Sequence, residues 1–191
     1  MTGRSRSTES SFDVFKAIAS VAYLVDRTGA TMYPVMKMLY LADKLHLETY
    51  GRFIAGDSYA AMEQGPVPSC TYNMMKAVRG EKVRTPGVEV ACDYFSYGSD
   101  HSISLKRPVD LDELSDSDIR CLENIASLYR VHGSRAVREM SHDDAWTKVW
   151  KPNRKFRGSK SYPMPLEEIA AHLDGSEALL RHLADPQPGS R

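Results

Sequence analysis

The sequence predicts a mainly α-helical (α+β) fold: a single compact helical domain carrying a small β-hairpin or sheet element. Apolar residues recur at helical spacing along most of the chain, and glycines stand where those stripes end. Period-two alternation is confined to one stretch, residues 87–107.

The elements follow in order. Residues 1–9 read as a disordered polar terminus, with the domain spanning 10–183 and a disordered tail over 184–191. Ser10 and Asp13 have capping-box spacing ahead of a stripe of Phe12, Phe15, Ile18, Ala19, Ala22 and Val25, which Gly29 ends. A second helix starts near Thr31 with Pro34 in its first turn. Val35, Met38, Leu39, Ala42, Leu45 and His46 share one face, and Gly51 stands at its end. Ser58 to Met62 suits a short strand. Gly65-Pro66-Val67-Pro68 is expected to exclude regular structure, because each proline removes a donor and restrains its predecessor. A third helix is expected over 69–79.

Val88, Val90, Cys92 and Tyr94 alternate with Glu89, Ala91 and Asp93. With a turn at Gly98-Ser99-Asp100 and a return through Ile103 and Leu105, they predict a hairpin. Ser115 and Asp118 form a second capping-box pair, opening a helix with Ile119, Leu122, Ile125, Ala126 and Tyr129 inward. Gly133 and Ser134 break it, and a short helix follows over 135–140. Ser141 and Asp144 are expected to cap a helix holding Trp146 and Trp150. Residues 151–160 are basic, and Pro165 opens a last helix with Leu166, Ile169, Ala170, Leu173 and Leu180 inward.

Composition excludes several function classes. The 191 residues contain 25 Lys plus Arg and 25 Asp plus Glu, so the formal charge is zero. That argues against general nucleic-acid binding, which needs a cationic excess. The apolar fraction of 42% and charged fraction of 26% are globular values and exclude bulk disorder. No apolar run is long enough to span a bilayer, and the first residues lack the apolar core of a signal peptide, so a cytoplasmic location without membrane partners is expected. Cys70, Cys92 and Cys121 have wide, irregular spacing and read as reduced structural thiols.

Catalytic signals are weak. Asp43 and His46, with Glu48 nearby, could share a metal on one helix face, but no third ligand has matching spacing, and an ordinary amphipathic face explains them. His142-Asp143-Asp144 could suggest acid–base work. Its simpler reading is a helix start at Ser141, with two acids near the positive N-terminus. There is no nucleophile elbow and no phosphate-binding glycine loop. No enzyme, cofactor or metal is therefore expected. The opening helices and later hairpin allow a DNA-binding repressor with a winged-helix-like fold as the alternative. The second helix, however, offers only Lys37 and Lys44 against Asp43 and Glu48. Residues 50–72 combine aromatics with a proline turn and suit protein binding.

The run LYLADKLHLETYGRFIAGDSYAAMEQGPVPSCTYNMM resembles the central signature of the SocA-like, or Panacea, antitoxin family. Weaker matches are D-x-A-W at Asp143 to Trp146 and M-P-L-E-E-I-A at Met164 to Ala170. The motif positions are Leu39, Tyr40, Ala42, Asp43, His46, Tyr50, Gly51, Gly65, Pro66, Val67, Pro68, Tyr72 and Trp146. Lys44 departs from an arginine common at that point. The resemblance implies a toxin–antitoxin role: binding and neutralising a cognate protein toxin. For SocA-like members it also implies a proteolytic adaptor that delivers the toxin to an ATP-dependent protease. The expected toxin-binding residues are Tyr50, Arg52, Tyr59, Gln64, Pro66, Val67 and Pro68. Arg154, Lys155 and Arg157 are the expected surface for a second partner, which an adaptor needs.

Overall fold

The computed structural model describes residues 12–153 and 160–184. Helix α1 (Val14–Thr28) is capped by the Asp13 carboxylate, which accepts from the Lys16 amide. The cap is thus Asp13 itself and not Ser10, which lies outside the described residues. Ala17 to Val25 are all buried, whereas Phe15 points outward and leaves the expected stripe. Helix α2 (Met32–Tyr50) starts after Thr31 and ends at Gly51 in a left-handed conformation, as its spacing predicts. Its burial goes beyond one stripe: Pro34 to Asp43 are all buried. A helix apolar all round is a central helix. α1, the strand pair described next and the long helix α5 (Asp116–Ser141) pack around α2, with α5 the most extensive neighbour.

Strands β1 (Tyr59–Met62) and β2 (Gly65–Pro68) form an antiparallel hairpin, so the proline-rich stretch is regular after all. Pro66 and Pro68 pair with Ala61 and Tyr59, in an edge strand of the three-stranded order β2-β1-β5, where β5 is Ser161–Met164. An edge strand tolerates proline because the missing donor can face away from the ladder. β5, the other edge, also carries a proline, Pro163, and was not signalled by alternation.

Helix α3 (Ser69–Val78) follows β2 directly. The expected hairpin over 87–107 is half right. Val88–Tyr94 is a helix, α4, and only β3 (Phe95–Tyr97) and β4 (Ile103–Leu105) pair. Ala91 and Tyr94, three apart, are buried while Val88 and Val90 are half-buried. Packing against α3 thus overrides the β-branched alternation.

α5 opens with a complete Ser115/Asp118 capping box and is interrupted at Gly133 (φ 77°, ψ −176°), where the sequence places its break. Helix α6 (Asp144–Asn153) is capped by Asp143, whose Oδ1 accepts from the Trp146 amide at 2.9 Å. Ser141 is instead the last residue of α5, its hydroxyl donating to the Arg138 carbonyl. The expected last helix is two, α7 (Leu166–Ala170) and α8 (Ser176–Ala184), divided near Gly175 (φ 71°). Among the described residues, no helix is long and apolar enough to cross a membrane.

Gly65 begins β2 at φ 99°, and a Cβ there would lie 2.8 Å from the His142 ring and 3.2 Å from Lys37 Nζ. Backbone strain and overlap therefore add. Gly65→Ala should lose at least about 2 kcal/mol of stability in a urea titration. An unchanged midpoint would show that the hairpin shifts without cost.

Candidate functional site

Three buried carboxylates set the geometry around α2. Asp118, fully buried on α5, receives Lys16 Nζ from α1 at 2.9 Å, His46 Nε2 from α2 at 3.1 Å, and an Arg52 guanidinium nitrogen at 3.3 Å. Burial alone would raise its pKa. Hydrogen bonds from His46, Lys16 and Ser115 outweigh that and hold the carboxyl well below its usual range. Asp43 accepts from the Ile54 amide and the Tyr59 hydroxyl, both at 2.7 Å. Here burial wins over those bonds, and its pKa is pushed up to about 6. Asp57 accepts from the Ser58, Cys70 and Thr71 amides and from the Thr71 hydroxyl. It supplies α3 with the cap that Pro68, at the N-cap position, lacks.

A fourth acid joins α2 to α6. Asp143 Oδ2 accepts from the Tyr40 hydroxyl at 2.9 Å and from Lys44 Nζ at 2.5 Å. The L-Y-x-A-D-K and D-x-A-W stretches, about a hundred residues apart in the chain, therefore meet at one side chain. Lys44 makes a single-point contact there, so it does not need the bidentate fork that arginine would offer.

At the N-terminal end of α2 a cleft of about 1070 Å³ opens between that helix, the β1–β2 turn, α3, the β3–β4 hairpin and Trp150. Tyr33, Tyr72, Tyr97 and Trp150 line it with Met32, Met36 and Met62. Its ionisable lining is Lys37, Arg79, His101 and Lys160 against Glu63. Lys37 is 1% exposed; its ammonium donates to the Pro66 carbonyl at 2.7 Å and lies 5.2 Å from the Tyr33 ring centre. No carboxylate pairs with it among the described residues. Burial, with the Arg138 charge, lowers its pKa to about 7. The ring of His142 stacks on Trp146 at 4.2 Å, and Trp146 Nε1 donates to the Met62 carbonyl.

The structure separates the residues expected to bind a partner. Tyr50 and Arg52 are exposed near the C-terminal end of α2. Gln64 is exposed at the other end, where its carbonyl accepts from Tyr33 Oη. Seventeen helical residues, or ~25 Å, separate the two ends. Tyr59 is 2% exposed and belongs to the core, so its expected place on the surface is corrected. Pro66, Val67 and Pro68 are buried, though Val67 still lines the cleft. Arg154, Lys155 and Arg157 lie outside the described residues. Asp43 and His46 direct their polar atoms to different partners, and exposed Glu48 accepts from the Asp174 amide. Among the described residues no group of three His, Cys, Asp or Glu side chains could hold a metal.

Sequence reasoning missed Tyr33, Lys37, Arg79, Tyr97 and His101 as a set, since they come from four separate elements. The signal that was available is Lys37 itself, a lone cation inside the apolar run V-M-K-M-L-Y-L-A. Residues 35–147 match the family model described as Antitoxin SocA-like, Panacea domain. No curated protein and no solved structure matches the chain.

The raised Asp43 pKa means that folding favours its protonated form. Its contribution is greatest below about pH 4 and is lost as pH rises through about 6. In Asp43→Asn the amide can still accept from Ile54 and donate to Tyr59. Between pH 4 and 7 the variant should gain on the native chain by up to about 3 kcal/mol, read from paired denaturant titrations. A difference that stays flat with pH would show that Asp43 ionises in the interior without cost. Asp118→Ala should act in the opposite sense, costing about 3–5 kcal/mol at pH 7 by leaving the Lys16 ammonium and the buried His46 ring without their acceptor.

Proposed function

Because this chain belongs to the SocA-like antitoxin family through its Panacea domain, we propose that it is an antitoxin. In this reading it binds a cognate protein toxin and neutralises it by contact, without catalysis. The observation that carries the reading is the extent of the family match. It runs from within α2 to the start of α6 and so includes most of the packed scaffold around the cleft. The cleft lining supports it: Tyr, Trp, Met and Arg are the residues that dominate protein interfaces.

The winged-helix alternative loses its recognition helix. α2 would have to enter a DNA groove, yet Pro34 to Asp43 are buried within the protein. We therefore place the protein among protein-binding antitoxins, acting in the cytoplasm as a single domain. Neutralisation follows one of two routes. The toxin is occluded, or it is held while an ATP-dependent protease degrades it. The second route needs a further surface, for which the basic stretch at Arg154, Lys155 and Arg157 is the candidate.

The test is co-expression with each reading frame that adjoins the gene. Induction of the partner frame alone should stop growth, and co-induction of this chain should restore it. Absence of rescue with every adjoining frame would sink the antitoxin reading. Toxin half-life then separates the routes. An adaptor shortens it in a protease-proficient cell, and reversal of Arg154, Lys155 and Arg157 to Glu should lengthen it again while binding persists.

A further inference from the structure

We propose that the cleft at the N-terminal end of α2 is the toxin-docking surface, and that it seats an extended acidic segment of the toxin with one large apolar side chain entering among the methionines. This rests on the antitoxin reading above and adds to it the face and the chemistry of the partner.

Charge is the first argument. The chain as a whole is neutral, with 25 cationic and 25 anionic side chains. The cleft is not: Lys37, Arg79 and Lys160 line it against Glu63, with Glu81 paired to Arg79 beside it. Lys76 lies over the Tyr72 ring, and Arg138 donates to the Gln64 side-chain oxygen at 3.5 Å, adding cations at its margin. Such a local excess favours encounter with an acidic partner and rejects a basic one.

Shape and composition are the second. About 1070 Å³ is at the upper limit for a small-molecule site and suits several side chains of a peptide. Methionines adapt to whatever apolar side chain arrives. Tyr33, Tyr72 and Tyr97 are half-buried, so each offers a face to a partner without being loose. The walls are already fixed. Tyr33 Oη holds the Gln64 carbonyl, Lys37 holds that of Pro66, and Trp146 holds that of Met62. Docking therefore orders few groups, which is where binding energy is usually lost.

The few cations of the cleft do not form a continuous track for nucleic acid. Lys37 lies beneath Gly65 and donates to a backbone carbonyl, and Arg79 is paired with Glu81. A phosphate chain needs a track of exposed Lys and Arg instead.

The experiment displays a library of short random peptides to the full-length chain, selects binders and measures the affinity of the best one as a synthetic peptide. Enriched peptides should combine a Trp, Phe, Leu or Met with flanking Asp or Glu. Arg79→Glu with Lys160→Glu, and separately Tyr33→Ala, should each weaken binding at least roughly tenfold, about 1.4 kcal/mol. Tyr50→Ala, at the far end of α2, should not. Melting temperatures identify any variant that has simply lost its fold. Enrichment of basic or uncharged peptides, or affinity indifferent to the cleft variants, overturns the proposal. So does tighter binding of oligothymidine than of any peptide. The same variants enter the growth assay. If the native chain rescues and the folded cleft variants rescue equally, the docking face is wrong and the antitoxin reading stands. If the native chain rescues nothing, the antitoxin reading fails, and the peptide measurements decide the specificity of the cleft by themselves.

Discussion

The arrangement of this protein depends on a carboxylate with no access to water. Asp118 binds Lys16, His46, Arg52 and the Ser115 amide, and so joins α1, α2, the segment after α2 and the start of α5. A buried charge is costly unless its lone pairs are fully met. That requirement constrains all four segments together, because none can move away without stranding the acid. Apolar packing brings the helices together but is indifferent to small shifts along their axes. The Asp118 contacts are directional and fix the register.

Asp43 and Asp57 extend the same principle to a segment with little structure of its own. Residues 51–58 contain no helix or strand, yet Ile54, Ala55 and Asp57 are buried. Backbone amides buried in a loop need partners from elsewhere. Asp43 meets the Ile54 amide, and the Asp13 amide meets the Ala55 carbonyl. Asp57 then turns the chain into α3. The β1–β2 hairpin hangs between these two anchored points, with Trp146 and Lys37 gripping its turn and its outer strand. The cleft is a consequence, because its floor and one wall are positioned by bonds that begin in the core.

Much of the fold is legible in the sequence because its long helices obey simple rules. α1 and α2 end at left-handed glycines, and α5 begins at a capping box that the structure contains in full. The failures share a cause. β2 and α4 take their form from neighbours: an edge position that suits proline in one case, packing against α3 in the other. The spacing marks Asp43 as an acid on an amphipathic helix face and the motif marks Tyr59 as a toxin contact, but the two are partners in the interior. Neither burial is visible from spacing, since each polar group is sheltered only because the other is there. The cleft was illegible for a further reason. Its lining runs from Thr31 to Lys160, and only the folded chain brings those residues together.

Most of the family signature and most of the cleft lining obey different constraints, although Gly65, Val67 and Tyr72 belong to both. Leu39, Tyr40, Ala42, Asp43, His46, Gly65, Pro66, Val67 and Pro68 are buried, so the greater part of the motif builds the scaffold. Interior residues tolerate little change, because each serves several partners at once: Asp143 alone holds Tyr40, Lys44 and the first turn of α6. Tyr97 and Arg79 carry far fewer obligations. Each is half-buried or exposed and can be replaced without stranding a buried charge. A scaffold fixed by buried acids can therefore keep its geometry while the cleft lining varies. Were the cleft the docking face, this division would let one fold address partners of different chemistry, since substitutions in the cleft would leave the Asp118 and Asp43 networks untouched.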